Sequence, residues 1–244
     1  SELPEATLLY NTAVISKDTL NQGEILDVSI NSMNIGRISM DSMLVKFSLQ
    51  KSNSNSLTLT NRFGKLPLNK TDKYDITFDT KPISGNYSLI VEMNPNEDQP
   101  EGYHGNNIYR KDIYIQGDRE NPLVDVTFDG QHIFNGDIVS SKPFIKIMIK
   151  DENKLFALDD PDLFNVFLVN AFGQDTLIPF NSPDMKFIPA DLTKLDRKNE
   201  ATIEFTPVFA NYPQALNEDG EYSIRITAKD KAGNQSGKYD FEKR

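Results

Sequence analysis

Residues 85–115, GNYSLIVEMNPNEDQPEGYHGNNIYRKDIYI, constrain the fold more than any other stretch. Tyr87, Leu89, Val91 and Met93 take every second position on the way up, and Ile113 and Ile115 do so on the way back. Period-two alternation turns one face of a strand to a core and the other to water. A polar tip rich in Asn, Pro, Glu and Gly separates the runs, so the stretch reads as a β-hairpin.

The preceding residues supply more of the same. Leu8–Ile15, Ile25–Asn34, Ser42–Gln50, Leu57–Leu59 and Lys73–Asp79 read as strands. In Ser42–Gln50, Met43, Val45, Phe47 and Leu49 form a core face opposite Leu44, Lys46, Ser48 and Gln50. Tyr74, Ile76 and Phe78 share a face of their strand. Ile25, Val28 and Ile30 are the apolar positions of theirs, and a phase shift between Leu26 and Val28 suggests a bulge. Asp18–Glu24 reads as a turn with Gly23 at the tight position, and Ser52–Ser56 as a polar loop. About seven short strands without room for crossover helices predict an antiparallel, immunoglobulin-like sandwich.

Gly117–Pro122, GDRENP, is a short polar join, which divides the chain into domains 1–117 and 118–244. Beyond it, Leu123–Phe128, Phe134–Val139, Pro143–Lys150, Phe164–Asn170, Asp175–Phe180, Ala201–Phe205, Glu221–Lys229 and Lys238–Phe241 read as strands. Asp151–Asp162 reads as an acidic loop with a single helical turn. The expected fold class is therefore all-β, with two tandem immunoglobulin-like antiparallel β-sandwiches.

The net charge of −10 argues against a nucleic-acid or anionic-membrane partner. No apolar run approaches the roughly 20 residues of a membrane span. With no cysteine and two separated histidines, His104 and His132, neither a protease dyad nor a thiolate zinc site can be assembled. Ser1, standing where an initiator Met would, suggests a piece of a larger chain.

One arrangement resembles a known family. A turn ending Gln22-Gly23-Glu24 is followed by Asn34-Ile35-Gly36, a G-x-Y-x-L-x-V strand from Gly85 to Val91, and Asn106-Asn107 after Glu97 and Glu101. Over about residues 5–117 this resembles CARDB, the cell adhesion related domain found in bacteria. The resemblance implies a seven-stranded sandwich serving extracellular bacterial and archaeal proteins as a spacer or adhesion module. In the second half, Gly220, Tyr222, Ala228, Asp230, Ala232, Gly233 and Asn234 are similar to the exit of bacterial immunoglobulin-like repeats. The run from Val126 through Asn153 resembles the C-terminal region of gingipain-like, C25-family proteins secreted by the type IX route of Bacteroidetes. That resemblance implies an extracellular or cell-surface location and a cysteine protease elsewhere in the parent chain.

Glu accepts hydrogen bonds only, whereas Asn both donates and accepts and tolerates left-handed backbone. Glu101, Asn106 and Asn107 are thus expected to staple the hairpin tip. The alternatives are a ligand site from Glu97, Asp98 and Glu101, or an exposed contact built on Glu97, Glu101, Tyr103, Asn106 and Asn107, with Tyr109 beside it. Asp118, Glu120, Asp151, Glu152, Asp159, Asp160 and Asp162 are solvated acids or calcium ligands, with Asp230 in a turn able to approach a domain end. Calcium apart, no cofactor is expected. The expected function is a non-catalytic spacer or adhesion-type accessory region. Its partners would be the flanking domains of the same polypeptide and another protein or a glycan. A carbohydrate-binding module is the alternative, weakened by the lack of Trp.

Overall fold

The computed structural model describes residues 3–51, 56–215 and 221–236, together with the backbone of 241–243. The polar loop expected at 52–55, Gly220 and most of the strand expected at 238–241 lie outside these residues. The chain forms two compact units, Ser1–Gly117 and Asp118–Arg244.

The first unit contains β1 (Ala6–Ile15), β2 (Thr19–Asn21), β3 (Ile25–Asn34), β4 (Met43–Gln50), β5 (Leu57–Phe63), β6 (Thr71–Asp79), β7 (Gly85–Met93) and β8 (Ile108–Gln116). A sheet ordered β1-β3-β6 faces one ordered β2-β8-β7-β4-β5. Their inner faces meet in one core, where Leu26, Ile30, Phe47, Leu49, Tyr74, Leu89 and Ile115 are fully buried. Each comes from an alternating run, so strand parity alone places it there. Tyr74 carries a polar atom inward, and the Ser32 hydroxyl donates to it at 2.8 Å.

The first unit departs from expectation at two points. The turn cluster at 18–24 contains β2, which pairs in parallel with β8. Three residues with one apolar member, Leu20, leave no visible period, so only the sheet edge reveals the strand. The phase shift expected in β3 is absent: Leu26, Val28 and Ile30 hold one inward row, and Ile25 is exposed. The irregularity lies instead in the partner strand β1, between Leu9 and Val14.

The second unit contains β9 (Leu123–Phe128), β10 (Ile145–Asp151), β11 (Phe164–Val169), β12 (Asp175–Leu177), β13 (Met185–Ile188), β14 (Asn199–Phe205), β15 (Ser223–Ala228) and β16 (Phe241–Lys243). The sheets are ordered β13-β14-β10-β9 and β12-β11-β15-β16, and every pairing is antiparallel. Ile147, Ile149, Val166, Leu168, Ile203 and Ile226 fill the core. Phe134–Val139 is not a strand. It is a loop turning at Gly136, with Phe134 and Ile138 in solvent, because the Asp137 carboxylate holds the Phe134 N–H at 2.7 Å.

Each unit is crossed from pole to pole. In the first, the start of β1 lies against the hairpin tip, where the Ala6 N–H meets Glu101 Oε1 at 3.2 Å. β8 leaves that tip and, nine residues on, ends at the opposite pole, about 30 Å away. In the second, Asp118 lies beside the turn after β15, its carbonyl 3.3 Å from the Asn234 amide. β16 runs antiparallel to β15, away from that turn.

Burial pushes the Tyr74 hydroxyl up to about 12 from its ordinary 10.0. An unfolded tyrosine ionises near 10, so above that pH the unfolded chain binds fewer protons than the native one. The Tyr74 contribution is therefore full below about pH 10 and is lost as pH rises through about 12. In alkaline urea titrations, Tyr74→Phe is expected to flatten the loss of stability of the first unit over that range.

Candidate functional site

Two polar assemblies are built at the poles of the units. At the hairpin tip, Asn94 and Glu97 take left-handed backbone, with φ of 48° and 54°, and close a turn through the Glu97 N–H to Asn94 carbonyl bond at 3.0 Å. Asn94 then holds the returning loop. Its amide donates to the Gln99 carbonyl at 2.8 Å, and its Oδ1 accepts from the Gln99 N–H at 3.1 Å.

Glu101 is the centre of the tip. Its side chain is fully buried. Oε1 accepts from the Ala6 N–H, and Oε2 accepts from Asn94 Nδ2 at 3.1 Å and Asn107 Nδ2 at 2.6 Å. His104 Nδ1 lies 3.3 Å from the same oxygen. A second carboxylate, Glu5, accepts from the Gly102 and Tyr103 N–H groups at 2.9 and 3.1 Å and from Asn106 Nδ2 at 3.2 Å. The tip thus has two acceptor centres for N–H groups that no strand reaches.

The contact residues expected at this tip are therefore divided. Glu97 and Tyr103 are exposed, whereas Glu101 and Asn107 are withdrawn into the loop and cannot present a surface. Asn106 is half-buried and engaged by Glu5. Asp98 pairs with Arg62 rather than with Glu97 or Glu101. Tyr109 packs on the core beside Tyr10, with ring centroids 6.0 Å apart. Glu5 has no local signal in the sequence, since its partners lie about a hundred residues away.

Asn34 and Gly36 brace the strand entering this pole. Buried Asn34 donates to the carbonyls of Ile38 and Leu66 at 2.8 and 3.0 Å. Gly36 lies so close to the N-terminal segment that a Cβ there would come 2.3 Å from the Glu5 backbone nitrogen.

At the pole of the second unit, Asp118, Asp151 and Asp230 converge, offering oxygens all within 4.8 Å of one another. Strand parity explains two of them. Asp151 continues the inward row Ile145, Ile147, Ile149, and Asp230 continues Ile224, Ile226, Ala228. The carboxylates are held by amides. Asn153 Nδ2 donates to Asp118 Oδ2 at 2.5 Å, and the Asn153 N–H donates to Asp151 Oδ1 at 2.8 Å. Asn234 Nδ2 donates to Asp230 Oδ2 at 2.7 Å. Asn199, buried and unanticipated from sequence, staples the loop by donating to the carbonyls of Asn153 and Phe156 and accepting from the Leu158 N–H, all at 2.8 Å.

Burial above all, with the charges of Asp118, Asp230 and Glu152 adding to it, pushes the Asp151 carboxyl above its ordinary value, against the pull of the Asn153 N–H. The other acids expected as calcium ligands are not brought to this cluster. Glu120 and Glu152 are exposed, Asp159 pairs with Lys231 at 2.5 Å, Asp160 caps the helical turn at Pro161–Leu163, and Asp162 is exposed within that turn. His132 lies apart from this group, 2.7 Å from Asp125.

No family model and no curated protein matches the chain. Among solved structures it is similar to the CARDB domain of a Pyrococcus furiosus protein in complex with di-metal ions, at 14% identity and a TM-score of 0.37, covering 48% of this chain and 98% of that one. A domain of a protein assigned to the cell surface of Methanosarcina acetivorans is similar at 15% identity and a TM-score of 0.34, covering 46% and 92%. Red sea bream transglutaminase is similar at 13% identity and a TM-score of 0.33, covering 94% of this chain and 30% of that one.

Removing the Glu101 carboxylate leaves the Ala6 N–H and the Asn107 amide without their acceptor and the Asn94 amide with the Gln99 carbonyl alone. Glu101→Ala is expected to destabilise the first unit by on the order of 3 kcal/mol, with the second unit unchanged, measured by urea unfolding. Gly36→Ala is expected to lower the midpoint of the same unit, because its added methyl meets backbone rather than a yielding side chain.

Proposed function

We propose that the chain is a non-catalytic spacer and adhesion-type accessory region of a larger secreted or surface protein, its first unit a CARDB-like module that withstands tension. The observation that carries this reading is the pole-to-pole path through each unit. A unit entered at one pole and left at the other adds its own length to the chain.

The strand pairing of the first unit suits tension. β1 joins the entry to β2, β8 is the exit, and β2 and β8 run parallel. The Tyr114 N–H donates to the Asp18 carbonyl and the Gln22 N–H to the Gln116 carbonyl, each at 2.8 Å. A pull on the two ends therefore shears all the rungs together, whereas a pull from one end of the pair opens them in turn.

The parent is proposed to be a C25-type cysteine peptidase of the gingipain-like kind. The Val126–Asn153 run and the Asp230–Asn234 turn support this by their resemblance to its C-terminal modules. A Cys–His peptidase domain encoded upstream of these residues is the expected finding, and its absence there would overturn the attachment.

The spacer reading is tested by single-molecule pulling. The first unit is expected to resist an end-to-end pull with several-fold more force than a pull through Asp18→Cys and Asp112→Cys handles at one end of the β2–β8 pair. Equal forces in the two geometries would overturn it. The sequence has no cysteine of its own, so these handles are unique.

A further inference from the structure

We propose that Asp118, Asp151 and Asp230 bind a calcium ion at the pole where the chain enters the second unit. Their carboxylate oxygens lie within 4.8 Å of one another and come from three separate segments. A cluster of acids alone would not carry this inference. The independent observation is Asp151 Oδ2, a buried oxygen without a hydrogen-bond partner, on a residue only 7% exposed. Oδ1 of the same group is taken by the Asn153 N–H, so the orphaned oxygen is the one left free for a cation.

Among the described residues, nearby Lys231 is committed to Asp159 and Lys150 to Glu200. Among the described residues, the groups that donate to the three carboxylates are the Asn153 and Asn234 side-chain amides and the backbone N–H groups of Glu120, Asn153 and Asn234. Asn234 Nδ2 lies between Asp230 Oδ2 at 2.7 Å and the Asp118 carbonyl at 3.3 Å. Amide nitrogen and oxygen have nearly the same shape, so turning this amide over would bring its oxygen to the same place as a further ligand. The donors are all oxygens, without His or Cys, which selects a hard cation. Calcium is favoured over magnesium, because carboxylates from three loops and strand ends form an irregular set that calcium accepts and an octahedral ion does not.

The consequence is local. Asp118 is the first residue of the second unit and precedes Arg119, which is exposed. A cation shared with Asp151 and Asp230 would fasten that residue to the ends of β10 and β15. The inference is independent of the spacer reading, since it concerns the second unit alone.

Calcium binding is measured by calorimetry on the full chain after chelator treatment, alongside thermal melts and tryptic cleavage at Arg119. Saturable binding of one ion is expected. At about a hundred times the Kd, it should raise the melting midpoint of the second unit by roughly 10 °C and slow cleavage at Arg119 roughly a hundredfold. Asp151→Asn is expected to abolish all three responses, whereas Asp162→Asn, outside the cluster, keeps them. Should Asp151→Asn fail to fold, Asp118→Asn at the half-exposed ligand serves in its place, with the same expected losses. Absence of saturable binding by the parent, or unchanged binding in the folded cluster variant, overturns the proposal. Magnesium binding at equal affinity overturns the choice of calcium.

Discussion

Loops that cross the end of a sandwich carry backbone N–H and carbonyl groups that no neighbouring strand reaches, and burying them unanswered is costly. Both units meet this constraint with buried polar side chains, one of which gathers several groups in each. Glu101 gathers the Ala6 N–H and two asparagine amides in the first unit, and Asn199 closes the 153–158 loop in the second. The choice of residue follows from the groups present. The tip offers donors and receives a carboxylate, while the second loop offers carbonyls as well as an N–H and receives an amide.

The same principle separates two buried carboxylates, Glu101 at the first pole and Asp151 at the second. Glu101 has partners on both oxygens, and its charge is spread over a closed set of donors. Asp151 has a partner on one oxygen only and sits among other acids. One is complete in itself, whereas the other keeps a buried oxygen without a hydrogen-bond partner.

Much of the architecture is legible because β residues declare their face by parity. Met43, Val45, Phe47 and Leu49 are buried in alternation, as are Tyr87, Leu89, Val91 and Met93. Parity fails where apolar character and burial part company. Phe134 and Ile138 look like strand residues and stand in solvent, and β2 is too short to show a period. For the acids, counting charges within one loop draws attention to Asp159, Asp160 and Asp162. The inward rows of β10 and β15 single out from the same candidates Asp151, the last residue of β10, and add Asp230 two residues past β15. Glu5 and Asn199 are legible by neither route, because their partners are distant in sequence and only the folded pole brings them together.

β5 forms one edge of the larger sheet, and its residues between Leu57 and Phe63 are exposed on both faces. Only those two end residues pack against the core. A strand whose middle residues bury little holds its register weakly, because a slip moves little apolar surface into water. β5 is thus joined to the unit by its backbone pairing with β4, by two terminal side chains and by the exposed contacts of Arg62 with Asp98 and Ser42. Of the longer strands, it removes the least apolar surface from water and so contributes least to cooperative stability. Opening of the first unit therefore begins at this edge, and amide protons of Thr58–Arg62 exchange before those of β4 and β7.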